Sequence, residues 1–390
     1  MLRAEGCVTS KDMMRCKAFR ISRRVCLLLV LITFFSCKKP GAPVCDGLML
    51  AVPDNPAAAG PWDAGVRTVV LAGLTTEVWY PAAVGSAAGG EKQQYDIREH
   101  IPDAMQAQVT APVLQDCDCY RDLPPDTAHG PYPVIIMVHG FGGFRTASAA
   151  LCTHWAGRGF IVLNADNPWI TLKDLLTNIN TVFFADQAGD TRRLIAAVQR
   201  SDPALDFLAG LIDGDRTGAA GHSAGGRAIQ NLGRVPGVRV LIPMASGGVA
   251  DGSWLVSSLV MGAEDDGVWP YDSQLAAYTE TFPEDNRYFV GIADAGHLAF
   301  TDVCAIERDK GGLLGIADTY GLDFDPNLVR LGSDGCGEDM LSPEAGWDIV
   351  RYATTAVFEA VLQCSDNATA RLLDIENVYP GKIVDVMAGD

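Results

Sequence analysis

Gly221-His222-Ser223-Ala224-Gly225 is the stretch that decides the fold. A serine bracketed by glycines at this spacing reads as a nucleophile elbow, a sharp strand-to-helix turn that lifts a hydroxyl above the edge of a sheet. The glycines keep side chains out of a corner too tight for them. The pattern is short, so its surroundings must carry it. Upstream, Arg216-Thr217-Gly218-Ala219-Ala220 is a small-residue run suited to a buried strand, and Asp213-Gly214-Asp215 before it reads as a turn. Downstream, residues 224–232 read as a helix whose start needs Gly225 and Gly226 for close packing. The competing reading is an ordinary serine in a Gly-rich turn, and the partners of Ser223 decide between the two.

In sheets that carry this elbow, the acid and then the histidine follow the serine along the chain. Of six histidines, His100, His129, His139, His154 and His222 precede Ser223, and only His297 follows it. His297 is therefore the expected general base, in a loop (293–297) beyond a strand at 287–290. The acid belongs past the apolar strand at 255–261, where Glu264, Asp265 and Asp266 stand, with Asp251 a further candidate from an earlier loop. A carboxylate there would fix the His297 tautomer and stabilise its cation. An oxyanion needs two backbone N–H groups. Ala224, next to the nucleophile, supplies one. The loop His139-Gly140-Phe141-Gly142-Gly143, after the strand Val134-Ile135-Ile136-Met137-Val138, supplies the other, at Phe141. Gly140 lets substrate approach that loop closely, and His139 is expected to support it by hydrogen bonding.

The run from Tyr132 to Thr146 resembles the oxyanion-loop segment of platelet-activating-factor acetylhydrolases. It is also similar to that of dienelactone-hydrolase-like and cutinase-like polyester hydrolases. Gly159-Phe160-Ile161-Val162-Leu163-Asn164 is similar to their next strand, Gly221 to Gly226 to their elbow, and Gly296-His297 to their histidine loop. The resemblance covers roughly residues 66–297 and a closing helix near the C-terminus. It implies an α/β-hydrolase fold, with a mostly parallel central sheet flanked by helices, and acyl-ester chemistry without a cofactor or metal. Families with this elbow place the acid four residues before a proline. Pro270 therefore selects Asp266, with Asp265 as runner-up. The chain departs from these families at about 301–343, a Gly/Asp-rich insertion with two cysteines, which leaves pocket shape and substrate open.

The ends and the composition speak to location. Arg20, Arg23 and Arg24 precede an apolar run at 25–35, too short to span a bilayer comfortably but suited to a signal segment. It ends in Ser36-Cys37-Lys38-Lys39, similar to a bacterial lipoprotein processing site, with Cys37 as the lipidated residue. Ordinary cleavage nearby and an uncleaved anchor are the alternatives. The expected location is the cell envelope, as a lipoprotein, or outside the cell. Removing the seven Lys/Arg and two Asp/Glu of residues 1–36 leaves 23 basic against 46 acidic residues. That balance argues against nucleic acid or anionic membrane as partner and favours neutral or zwitterionic esters.

Of eleven cysteines, Cys7, Cys16 and Cys26 fall in the signal segment. An oxidising compartment allows the others to pair. Cys304 with Cys336 is the preferred pair, stapling an insertion that otherwise lacks a core. Cys117 and Cys119 are too close for a relaxed bridge, so each is expected to pair elsewhere.

The remaining sequence reads as scaffold. Residues 37–65 form a tether, 68–71 and 75–80 opening antiparallel strands, and 91–127 an irregular or helical excursion. Trp169 and Phe183 are candidates to line the acyl or alcohol pocket, against simple packing in core or lid. Residues 186–200 form a helix with Leu194, Ile195 and Val198 turned inward. Strands at 238–243 and 256–261 are too apolar to alternate and so are buried and parallel. Trp347, Val350, Val357 and Val361 fall at helical spacing. The whole reads as one α/β-hydrolase domain over 66–390, expected as a monomeric serine esterase. The rival readings are a serine peptidase or thioesterase on the same fold, and a surface lipoprotein that has lost turnover.

Overall fold

The computed structural model describes residues 43–45 and 47–389. The signal segment and Cys37 lie outside the described residues.

Among the described residues the twelve strands are β1 (Asp63–Leu71), β2 (Leu74–Ala82), β3 (Gln94–Asp96), β4 (Leu114–Asp116), β5 (Tyr120–Arg121), β6 (Tyr132–Val138), β7 (Ile161–Ala165), β8 (Ile212–His222), β9 (Val238–Met244), β10 (Ser257–Ala263), β11 (Arg287–Ile292) and β12 (Ile383–Ala388). Ten form one sheet in the order β12-β11-β10-β9-β8-β6-β7-β2-β1-β5, and β3 pairs β4 apart from it. From β7 across to β11 every neighbour is parallel. The antiparallel pairs β1–β2, β2–β7 and β11–β12 lie towards the two flanks. This is the mostly parallel α/β-hydrolase sheet that the sequence implies.

The central strands are buried along their whole length, as β6, β9 and β10 show. Such strands need cover on both faces, which explains their unbroken apolar runs. The helix Gln187–Gln199 turns Leu194, Ile195 and Val198 into one face. The helix Pro343–Leu362 lays Ile349, Val350, Val357 and Phe358 on the other, where Phe358 meets Trp155 edge-on at 5.2 Å.

Four local readings change. Asp213-Gly214-Asp215 is not a turn outside the sheet. It lies inside β8, whose pairing with β6 shifts register between Pro133 and Val134, so the irregularity is absorbed within the ladder. The tether reading of 37–65 ends early. Cys45 is bonded to Cys364, and the buried Arg158 guanidinium donates to the carbonyls of Pro53, Asn55 and Ala58. Cys117 and Cys119 pair with each other rather than elsewhere, because their Cα atoms lie 5.2 Å apart, inside the range a disulfide spans. Cys304 and Cys336 are bonded to each other, but the insertion they join does have a core. Ile306, Leu313, Ile316 and Leu322 pack with Ile97, Ile101 and Phe144 in one apolar cluster.

Candidate active site

Strand β8 delivers Ser223 to the C-terminal edge of the sheet, and a short helix, Ala224–Ile229, leaves from it. Ser223 has φ 53° and ψ −117°, a backbone that non-glycine residues rarely adopt. The neighbours hold it there. Its amide donates to Met244 O at 2.9 Å, and Ser246 Oγ donates to its carbonyl at 2.8 Å. Any side chain at Gly221 would strike the Gly225 carbonyl, and one at Gly225 would strike that of Val138. Glycine is needed at both places because backbone meets backbone.

The loops after β10 and β11 bring the other two groups. His297 Nε2 lies 2.9 Å from Ser223 Oγ, and its Nδ1 lies 2.9 Å from Asp266 Oδ2. His297 and Asp266 are both buried. Because a carboxylate only accepts, Nδ1 carries the proton and Nε2 is left to accept from the serine. Asp266 is held by three further donors: the amides of Val268 and Trp269 on Oδ1, at 2.8 and 2.7 Å, and Gln274 Nε2 on Oδ2 at 3.1 Å. Gln274 is itself oriented by the Ala263 amide at 3.2 Å. The alternative carboxylates Glu264, Asp265 and Asp251 are exposed.

The amides of Ala224 and Phe141 sit at the start of a helix and in the glycine loop after β6. Among the described residues, neither has a backbone acceptor. His139 Nδ1 donates to Gly140 O at 2.8 Å while its Nε2 accepts from the Asn167 amide at 3.2 Å. Gln187 Nε2 donates to His139 O at 2.9 Å, so the loop is tied at several points. His222 Nε2 donates to the carbonyl of His297 at 2.8 Å. Burial pushes His222 down to about 3 and also lowers His139, so both are neutral at physiological pH. No group of three His, Cys, Asp or Glu among the described residues is arranged to hold a metal.

Ser223 and His297 open into a cavity of about 170 Å³. Gly140 and Phe141 line it beside them. Its other walls are almost wholly apolar and come from well-separated stretches: Ile97, Ile101 and Val113 from the excursion, Phe144 and Ala147 after the glycine loop, Leu172 and Leu175 after β7, and Leu313 and Leu328 from the insertion. Trp169 is not among the lining residues. It is 49 % exposed, at φ 72°, with its ring 6.0 Å from that of Phe184, and Phe183 is 82 % exposed. The turn that carries Trp169 points it outward, so leucines of the following helix, Leu172–Thr177, occupy the wall instead.

Residues 92–190 match the family model for platelet-activating factor acetylhydrolase, isoform II. Over that stretch the chain is similar to this family, and its sheet has the α/β-hydrolase arrangement. The match supports hydrolysis of esters in general. It spans most of the excursion, the glycine loop after β6 and the cavity-lining Leu172 and Leu175, and it stops short of the elbow. No curated protein matches the chain. What the sequence did not single out are the supports of the site, above all Gln274 and Asp334. The second of these accepts from the His297 amide at 2.7 Å. Neither belongs to a motif, since each acts through a partner that only folding brings near.

Proposed function

We propose that this hydrolase is an exported serine esterase that cleaves carboxylic esters with an uncharged, apolar acyl group. One observation carries the reading: the line of hydrogen bonds from Asp266 through His297 to Ser223, opening on an apolar cavity. Ser223 Oγ attacks the ester carbonyl as His297 Nε2 takes its proton. The amides of Phe141 and Ala224 receive the charge that develops on the carbonyl oxygen. Asp266 holds the imidazole in the required tautomer and stabilises its cation. His297 then returns the proton to the leaving alcohol, and water activated by the same imidazole releases the acyl group from Ser223.

Acetyl phospholipids and polyesters are the substrate classes suggested by the family likeness. The net negative surface favours neutral or zwitterionic esters over anionic ones. Export is supported by the disulfides Cys45–Cys364, Cys117–Cys119 and Cys304–Cys336, which form and persist best in an oxidising compartment. A lipid on Cys37 and a monomeric state belong to the same proposal. Among the described residues, no helix is long and apolar enough to cross a membrane.

Hydrolysis of p-nitrophenyl esters over a range of acyl lengths tests the reading. Ser223→Ala should abolish turnover, and Asp266→Asn should lower kcat by about 10,000-fold. Turnover that survives in Ser223→Ala, or a folded wild type that cleaves amides or thioesters and no oxygen ester, would sink it.

A further inference from the structure

The acid and base of the triad stand on separate loops, and what holds those loops in register comes from the insertion. Strands β10 and β11 are paired only as far as Ala263 and Ile292. Beyond them, Glu264 N donates to Ile292 O and Asp265 N to Ala295 O, at 3.0 and 2.9 Å. Past that point Asp334 joins the two. Its Oδ1 accepts from the amide of His297 at 2.7 Å, and its Oδ2 accepts from the amide of Gly267, the residue after Asp266, at 3.2 Å. Its main-chain oxygen accepts from the Leu298 amide at 2.9 Å. Arg330, from the same insertion, donates to Gly267 O at 3.0 Å. The contact is close enough that a side chain at Gly296 would run into Gly335 and Asp334. Two residues on, Cys336 is bonded to Cys304, which follows the His297 loop, so the turn carrying Asp334 is fixed at both ends.

We propose that Asp334 is a positioning residue, one carboxylate that sets the spacing between the Asp266 loop and the His297 loop. The inference rests on the serine-esterase reading for its link to turnover. Hydrogen bonds from N–H groups to a carboxylate are the strong kind, and loss of about 1 Å of alignment in such a site costs on the order of 100-fold in rate. Asp334 touches neither substrate nor the reacting atoms. It works through two main-chain amides.

The test uses the full chain as wild type, Asp334→Ala and Asp334→Asn. Two readouts are taken: p-nitrophenyl ester kinetics, and the downfield proton resonance of His297 Nδ1–H in protein carrying ¹⁵N-histidine. Asp334→Ala should lower kcat by about 10- to 100-fold, leave KM unchanged and broaden or remove the resonance. Asp334→Asn keeps an oxygen for the His297 amide and should restore both the resonance and most of kcat. An unchanged resonance and kcat in Asp334→Ala, a loss that appears in KM, or equal loss in both variants would overturn the proposal. The resonance does not depend on turnover. A wild type that cleaves no ester yet shows the expected resonance pattern would count against the esterase reading alone and still uphold the role of Asp334.

Discussion

Arg158 and Glu359 face each other at 2.7 Å, and neither side chain reaches solvent. The pair joins the end of the helix Ala149–Gly157 to the helix Pro343–Leu362. The same guanidinium also holds the carbonyls of residues 53, 55 and 58 against the domain. Burial raises the Glu359 carboxyl, so its charge depends on that partner and, more weakly, on Arg371 at 3.8 Å. Removing one member strands the other, at a cost of about 3–5 kcal/mol. Glu359→Ala should therefore lower the denaturant midpoint strongly. Arg158→Met should do at least as much, because three carbonyls lose their donor as well. Equilibrium unfolding in urea measures both, and a change within experimental error in either would refute the account.

Stability should also fall on mild acidification. His222 and His154 are pushed down to about 3 and His100 to about 4, each chiefly by burial. Their folded values lie below the unfolded value near 6.5, so between about pH 6.5 and 4 the unfolded chain binds more protons and stability drops as pH falls. Asp302 runs the other way. Burial raises it to about 7, so its contribution is present at low pH and is lost as pH rises through 7. With His139 lowered by burial as well, four buried histidines act against the raised carboxyls of Asp302, Glu359 and Asp190, which leaves a net loss on the acid side. Asp302→Asn should make that loss steeper and should improve relative to wild type from pH 6 to 8. Thermal unfolding from pH 4 to 8 shows whether it does.

The cavity wall predicts selectivity. Leu175 is buried and lines the cavity from the helix after β7. Leu175→Trp should fill the space, suppress turnover of the longer p-nitrophenyl esters and spare the acetyl ester. A parallel fall across all lengths would show that the acyl chain lies elsewhere.

Much of the candidate site was legible in the sequence because its signals are local. Ser223 sits between glycines, and His297 is the last histidine of the chain. The central strands were legible because burial on two faces leaves unbroken apolar runs such as β6 and β9. The cavity was not. Its walls come from residues as far apart as Ile97 and Leu328, and neither stretch has a regular period long enough to read. Asp334 was hidden for a related reason. It lies in a Gly/Asp-rich segment where its type is common, and only the folded chain sets it beside His297. Trp169 was misleading because an aromatic residue after a parallel strand looks like a pocket wall, and here the turn sends it outward.

The order in which the sheet closes has a consequence for synthesis. Cys45 waits for a partner 319 residues further on, and β11 is covered at the flank only when β12, at 383–388, arrives. A ribosome releases the chain from its N-terminal end. The earliest part of this domain therefore emerges without the segments that lock it, and the native state becomes accessible only once Cys364 and residues 383–388 have emerged.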